Sequence, residues 1–299
     1  MKKNFLFGIF AAATMLLATS CQQDGITNLN YGDQATVSIN LATPEVATRA
    51  YSDGTTATHL QYAVYNAAGD LLDELTVTNE TINLKKNVNL KLTTGNTYTL
   101  VFWAAAPNAP YTVDFPNKTM SIDYSAAKTL ANDEGRDAFL VDTTFTVTGN
   151  LDLDLFLRRP FAQLNIGTSD TEDTRKAGYD VVQTKVEVLA YRTLHLIDGT
   201  VGESYNVVYD WNTIPQGEAF PVAGYDYMTM NYILVPADKE IIDVKFSYTD
   251  GTTEKNRTFG SVPVRRNYRT NLYGQLFTSD VTVDLEIMPV PVDSYTEIR

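Results

Sequence analysis

Apolar and polar residues alternate one for one in segment after segment of this 299-residue chain, and that period of two commits it to β-strands. The first case is Thr36-Val37-Ser38-Ile39-Asn40-Leu41. Successive side chains of a strand point to opposite faces, so Val37, Ile39 and Leu41 are expected to face one core. Leu60, Tyr62 and Val64 repeat the pattern and run into the turn-forming Gly69-Asp70. Leu151, Leu153, Leu155 and Leu157 alternate with Asp152, Asp154 and Phe156. Val186, Val188 and Ala190 do the same, and Ile242, Val244, Phe246 and Tyr248 precede Asp250-Gly251, a hairpin signal. Val281, Val283, Leu285 and Ile287 close the series. Tyr98 to Ala105, which contains Trp103, is apolar throughout and reads as a strand without alternation. Helical periodicity is confined to two short stretches, Ser125 to Asn132 and Asp170 to Ala177. Many short strands separated by turn signals predict an all-β chain of tandem β-sandwiches. An aromatic content of 11%, with 18 tyrosines, suits such sheets.

Pro160 cannot donate to a strand ladder, and it follows Arg158-Arg159 at the end of one alternating strand. Phe161, Leu164 and Ile166 begin another. The expected organisation is a leader over 1–20, a polar tether over 21–32, an N-terminal sandwich over 33–157 and a C-terminal sandwich over 158–299.

The leader rests on Lys2 and Lys3, an apolar run from Phe5 to Ala18, and the small residues Ala18-Thr19-Ser20 before Cys21. This is the layout of a secretory signal, too short to span a bilayer comfortably, since spanning takes roughly 20 apolar residues. A small-residue site ending in cysteine resembles a bacterial lipoprotein lipobox, in which the cysteine is acylated and becomes the first mature residue. Cys21 is the only cysteine, so once lipidated it leaves no thiol for a disulfide. Asn, Asp and Gly residues between Gln22 and Gly32 suit a tether.

The whole chain carries 23 basic and 36 acidic residues, a formal charge of −13. An acidic surface disfavours nucleic acid, which needs clustered Lys and Arg. Catalytic constellations are wanting. His59 and His195 are the only histidines, and neither has a ligand partner at i+2 or i+4. There is no nucleophile elbow, phosphate-binding loop, dinucleotide fingerprint or zinc-protease motif. Asp152 and Asp154 read as a solvated strand face; Asp133-Glu134 and Glu172-Asp173 lack the spacing of a calcium loop. No enzyme activity, cofactor or metal is expected.

Thr48-Arg49-Ala50-Tyr51-Ser52-Asp53-Gly54 follows the first strand and has the small, polar composition of a segment that proteases nick. Cleavage between Arg49 and Ala50 by a trypsin-like enzyme would detach lipid, tether and first strand together.

In the order of these features the chain resembles the Bacteroides-type fimbrillins, the type V pilin superfamily. The resemblance rests on the lipobox at Cys21, on the first strand followed by Arg49, on the strand Leu157-Arg158-Arg159-Pro160-Phe161-Ala162-Gln163-Leu164-Asn165-Ile166, and on Asn267-Tyr268-Arg269-Thr270-Asn271-Leu272-Tyr273-Gly274-Gln275-Leu276-Phe277-Thr278 near the end. It implies two transthyretin-like, Ig-like sandwiches, export as a surface lipoprotein of the outer membrane, and no catalysis. It also implies assembly by donor-strand exchange with other fimbrial subunits or with copies of itself. Val37, Ile39 and Leu41 would be the displaced strand, and Val281, Val283, Leu285 and Ile287 the donor. Pro289 and Pro291 remove two backbone donors and limit pairing on one side of that tail, so either the tail sits at a sheet edge or the donor is the segment before Met288. An alternative is an outer-membrane glycan-binding lipoprotein of a nutrient-uptake system, in which Trp103, Trp211, Tyr225, Tyr227 and Tyr232 would stack on sugars; most of these are expected to be core.

Overall fold

The computed structural model describes residues 32–43, 51, 53–125, 128–278 and 283–289. Its strands are β1 (Gln34–Ala42), β2 (His59–Tyr65), β3 (Val77–Thr81), β4 (Lys85–Thr93), β5 (Thr97–Ala105), β6 (Tyr111–Asp114), β7 (Thr119–Ile122), β8 (Ala138–Thr146) and β9 (Leu151–Phe156). They continue with β10 (Phe161–Thr168), β11 (Gln183–His195), β12 (Val201–Thr213), β13 (Asp226–Leu234), β14 (Glu240–Thr249), β15 (Glu254–Val264), β16 (Tyr268–Gly274) and β17 (Val283–Pro289). Among the described residues the only α-helix is α1, Thr171–Lys176. The chain is all-β, as its alternation predicts.

The strands form four sheets. In the first, β1 lies between β4 and β9; the second runs β3-β2-β5-β8. Between them Val37, Ile39 and Leu41 pack with Leu60, Val64, Leu100 and Phe102 in one core. The third sheet runs β13-β10-β16-β17, and the fourth is a broad sheet ordered β15-β14-β11-β7-β6 with β12 also on β11. Leu164 and Ile166 of β10, Val186 and Val188 of β11 and Phe246 of β14 belong to a second core.

The two cores share a wall. Along β5, Leu100, Phe102 and Ala104 face the first core, while Val101, Trp103 and Ala105 face the second. A strand covered on both sides has no solvent face to make polar, which is why Tyr98 to Ala105 reads as an unbroken apolar run. The hairpin β6–β7 also crosses the expected boundary at 157/158. It precedes that boundary in sequence, yet β7 pairs with β11 in the fourth sheet.

At the junction Arg159 is buried, and its Nε and Nη2 donate to Asp137 Oδ1 and Oδ2, both at 2.7 Å. Its guanidinium also lies 4.6 Å from the Phe139 ring centroid. Burial pushes the Asp137 carboxyl above its ordinary range even beside Arg159.

The expected short helix at Asp170 is present as α1, and the Asp250-Gly251 hairpin joins β14 to β15 with Gly251 at φ 91°, the left-handed region glycine tolerates. Of the other expected helix, Ser125 to Asn132, none of the described residues is helical; they form a turn at Lys128 and a bend at Ala131 and Asn132. A helix there needs the Asn132 N–H to reach the Lys128 carbonyl. Instead that N–H donates to Met230 O at 2.8 Å, and the Lys128 carbonyl accepts from the buried Arg136 guanidinium. Tertiary partners outbid a weak local preference.

Candidate assembly site

Three elements bear on strand exchange: β1, the segment after it, and β17. β1 is held on both sides, antiparallel to β4 from Gln34↔Thr93 to Ala42↔Lys85 and parallel to β9 from Val37↔Leu151 to Ala42↔Phe156. Val37 and Ile39 are 0% exposed and Leu41 2%. On its outer face Asn40 donates to Asp154 at 2.9 Å and accepts from Asn87 at 2.8 Å. Without β1, β4 and β9 would face each other across a slot one strand wide, floored by the apolar row that β1 now covers.

Cys21, Arg49, Ala50 and Val281 lie outside the described residues. Tyr51, two positions beyond Arg49, is described and sits on the third sheet. Its carbonyl accepts from Arg269 Nη2 at 3.5 Å, and its ring meets Tyr227 edge-on at 5.4 Å. Burial, with Glu218 and Glu134 nearby, pushes the Tyr51 phenol up to about 12.

Val283, Leu285 and Ile287 fall in β17, which pairs antiparallel with β16 of its own chain, from Gly274↔Val283 to Tyr268↔Pro289. This strand is at the edge of its sheet, and β1 is in a different sheet. The structure therefore places the expected displaced strand and the expected donor apart.

The segment that follows β16 is anchored by a carboxylate that sequence reasoning missed. Asp170 is 1% exposed and accepts from Leu276 N at 3.2 Å, Phe277 N at 3.0 Å and Thr278 N at 2.8 Å, and from the Thr168 hydroxyl. Arg257 Nη2 donates to the Thr278 carbonyl. Burial works to raise the Asp170 pKa, but the hydrogen bonds from Thr168, Thr278 and Phe277 outweigh it, and the carboxyl lies below its ordinary range.

A second missed feature is a polar ladder across the third sheet. Arg269 Nε donates to Gln163 Oε1 at 3.1 Å, Gln163 Nε2 to Asn165 Oδ1 at 3.2 Å, and Asn165 Nδ2 to Asn271 Oδ1 at 2.9 Å. Tyr227 donates to Asn165 Oδ1 at 2.5 Å, and Asn271 Nδ2 reaches Glu286 Oε2 of β17 at 3.3 Å. The signal was legible as Arg269, Asn271 and Tyr273 at period two, a polar face in a strand that is otherwise buried.

The remaining candidates behave as ordinary structure. His59 bonds the Thr78 carbonyl at 3.1 Å, and His195 lies 3.0 Å from Asp198 in a turn. Glu172 pairs with Arg175 at 2.7 Å on α1. Among the described residues no group of three His, Cys, Asp or Glu is placed to hold a metal. Trp103, Tyr227 and Tyr232 are core; Trp211 and Tyr225 are half-buried, with Lys185 Nζ 4.8 Å from the Trp211 ring.

Sheets and cores together define an all-β fold, with one strand inserted between two others and another laid along an edge. The chain belongs to a family of unknown function, DUF6562, whose family model matches residues 28–293. Solved structures share the fold at low identity. A provisionally assigned cell adhesion protein from Bacteroides ovatus is 12% identical, with TM-score 0.52, over 88% of this chain and 100% of that one. The tip fimbrial protein Mfa3 of Porphyromonas gingivalis is 11% identical, with TM-score 0.51, over 86% and 100%. The fimbrial anchor protein Mfa2 of the same organism is 11% identical, with TM-score 0.50, over 87% and 100%. No curated protein matches the sequence.

Proposed function

We propose that this protein is a fimbrial or adhesin-like surface lipoprotein, anchored to the outer membrane through acylated Cys21 and acting without catalysis as a structural or accessory pilus subunit. The observation that carries the reading is the position of β1, laddered on both edges with its apolar row fully inside. Removing such a strand opens a slot that only another alternating strand fills, and β-augmentation supplies one. Arg49 follows that strand at a short distance, so one cut would release it with the lipid. The tip and anchor proteins that share the fold support a role beside other fimbrial subunits.

Mass spectrometry of surface material tests this. A subunit built by exchange has a mature N terminus at Ala50 and runs as a ladder of oligomers. A chain that keeps acylated Cys21 and stays monomeric at every concentration rules out polymerisation and leaves the anchor role.

A further inference from the structure

A cavity of about 580 Å³ opens under the loop that joins β12 to β13. Its size falls within the range of small-molecule sites, about 300–1,000 Å³. The loop is fixed in place. Phe220 lies flat on Gly167 of β10, with ring atoms 2.7 Å from where a Cβ would stand, so only glycine admits it. Tyr225 meets Tyr273 edge-on at 4.7 Å, Phe220 meets Tyr227 at 5.2 Å, and an isolated bridge between Ala219 and Asp226 closes the base of the loop.

The chemistry of the lining narrows what enters. Asp180, Glu218 and Asp226 line the cavity and are exposed, and their side-chain carboxylates accept no hydrogen bond from the described residues. Thr171 Oγ1, also in the lining, is buried without a partner. Among the described residues no Lys, Arg or His lines the cavity, so phosphate, sulfate and uronate groups find no counter-charge there. The carboxylates are not grouped to share a metal. Unspent acceptors spread around an aromatic-walled cavity suit a ligand with several hydroxyl donors and an apolar C–H face.

We infer that this cavity is a glycan subsite for an uncharged pyranose, with Tyr225 against the sugar ring and Asp226, Asp180 and Glu218 accepting from its hydroxyls. The inference deepens the adhesin-like reading and rests on it only for the chain's access to surface glycans.

The experiment uses the full mature chain on immobilised neutral oligosaccharides of glucose, galactose, mannose and N-acetylglucosamine. Hyaluronan, heparin and polygalacturonate serve as acidic counterparts, and hits are followed by calorimetric titration. Retention on at least one neutral glycan is expected, with Tyr225→Ala and Asp226→Asn each weakening it by about tenfold or more, some 1.4 kcal/mol. Glu218→Gln, at the exposed rim, repeats the test where Tyr225→Ala fails to fold, and circular dichroism melts check each variant. Preference for acidic glycans, binding by the variants equal to wild type, or no retention on any neutral glycan overturns the inference. N-terminal mapping at Ala50 is read separately, so a lost glycan site and a failed fimbrial reading give different results.

Discussion

β1 and β17 look alike as sequence and differ as structure. Both carry apolar residues at every second position, Val37, Ile39 and Leu41 in one, Val283, Leu285 and Ile287 in the other. β1 has a neighbour on each side and lies inside the first core; β17 has a neighbour on one side only. Alternation reports which side chains share a face; the number of ladders depends on where the sheet ends. β1 is therefore expected to set the stability of its core, and β17 to be held by a few specific contacts that can be removed without disturbing the rest.

The largest effect tests the interior strand. Ile39→Ala removes buried methyl groups from a site with little room to collapse, at a cost of about 2–5 kcal/mol in chemical denaturation. A loss under about 1 kcal/mol there would put β1 on the same footing as an edge strand. Asp170→Asn, at the residue that holds the segment between β16 and β17 from its β16 side, is expected to cost about 1–3 kcal/mol, because an amide cannot accept three backbone N–H groups as a carboxylate does. The sign of its pH dependence follows from the lowered pKa. A depressed carboxyl contributes stability above the unfolded value, about 3.9, and loses it as pH falls through the folded value. Wild type and Asp170→Asn should therefore differ at pH 7 and converge below about pH 4. A constant gap across that window would mean the carboxylate's charge plays no part.

The smallest effect is local. Glu286→Ala removes the acceptor that Asn271 reaches on β17, worth about 1 kcal/mol. Hydrogen exchange should quicken at the amides of β17 while those of β1 and β4 keep their protection. Faster exchange in both sheets would show that the edge strand is coupled to the first core.

Much of the fold was legible because burial on one face writes itself as alternation. β1, β9 and β14 fall where Thr36 to Leu41, Leu151 to Leu157 and Ile242 to Tyr248 place them. What periodicity cannot carry is the partner. That Trp103 belongs to the second core and Phe102 to the first follows only from the packing of sheets, and so does the pairing of β7 with β11. The segment 125–132 reads as helix by local preference and is undone by Arg136 and Met230, neither of which a short window sees. Of the candidate site, the buried row of β1 was readable. Asp170 was not, since a carboxylate before a short helix reads as an ordinary cap while its partners lie more than a hundred residues on. The arch over the 214–228 cavity depends on Gly167, whose reason is a ring more than fifty residues away.

The wall shared by the two cores has a mechanical consequence. A chain of independent domains pulled through its ends would yield one domain at a time under load. Here Leu100 and Phe102 anchor one core while Val101 and Trp103, on the same strand, anchor the other. Tearing out β5 to extend the first strips an aromatic ring from the second. The two halves must yield together, as a single rupture rather than a sequence of give-points, and the molecule resists tension as a rivet does, until it fails at once.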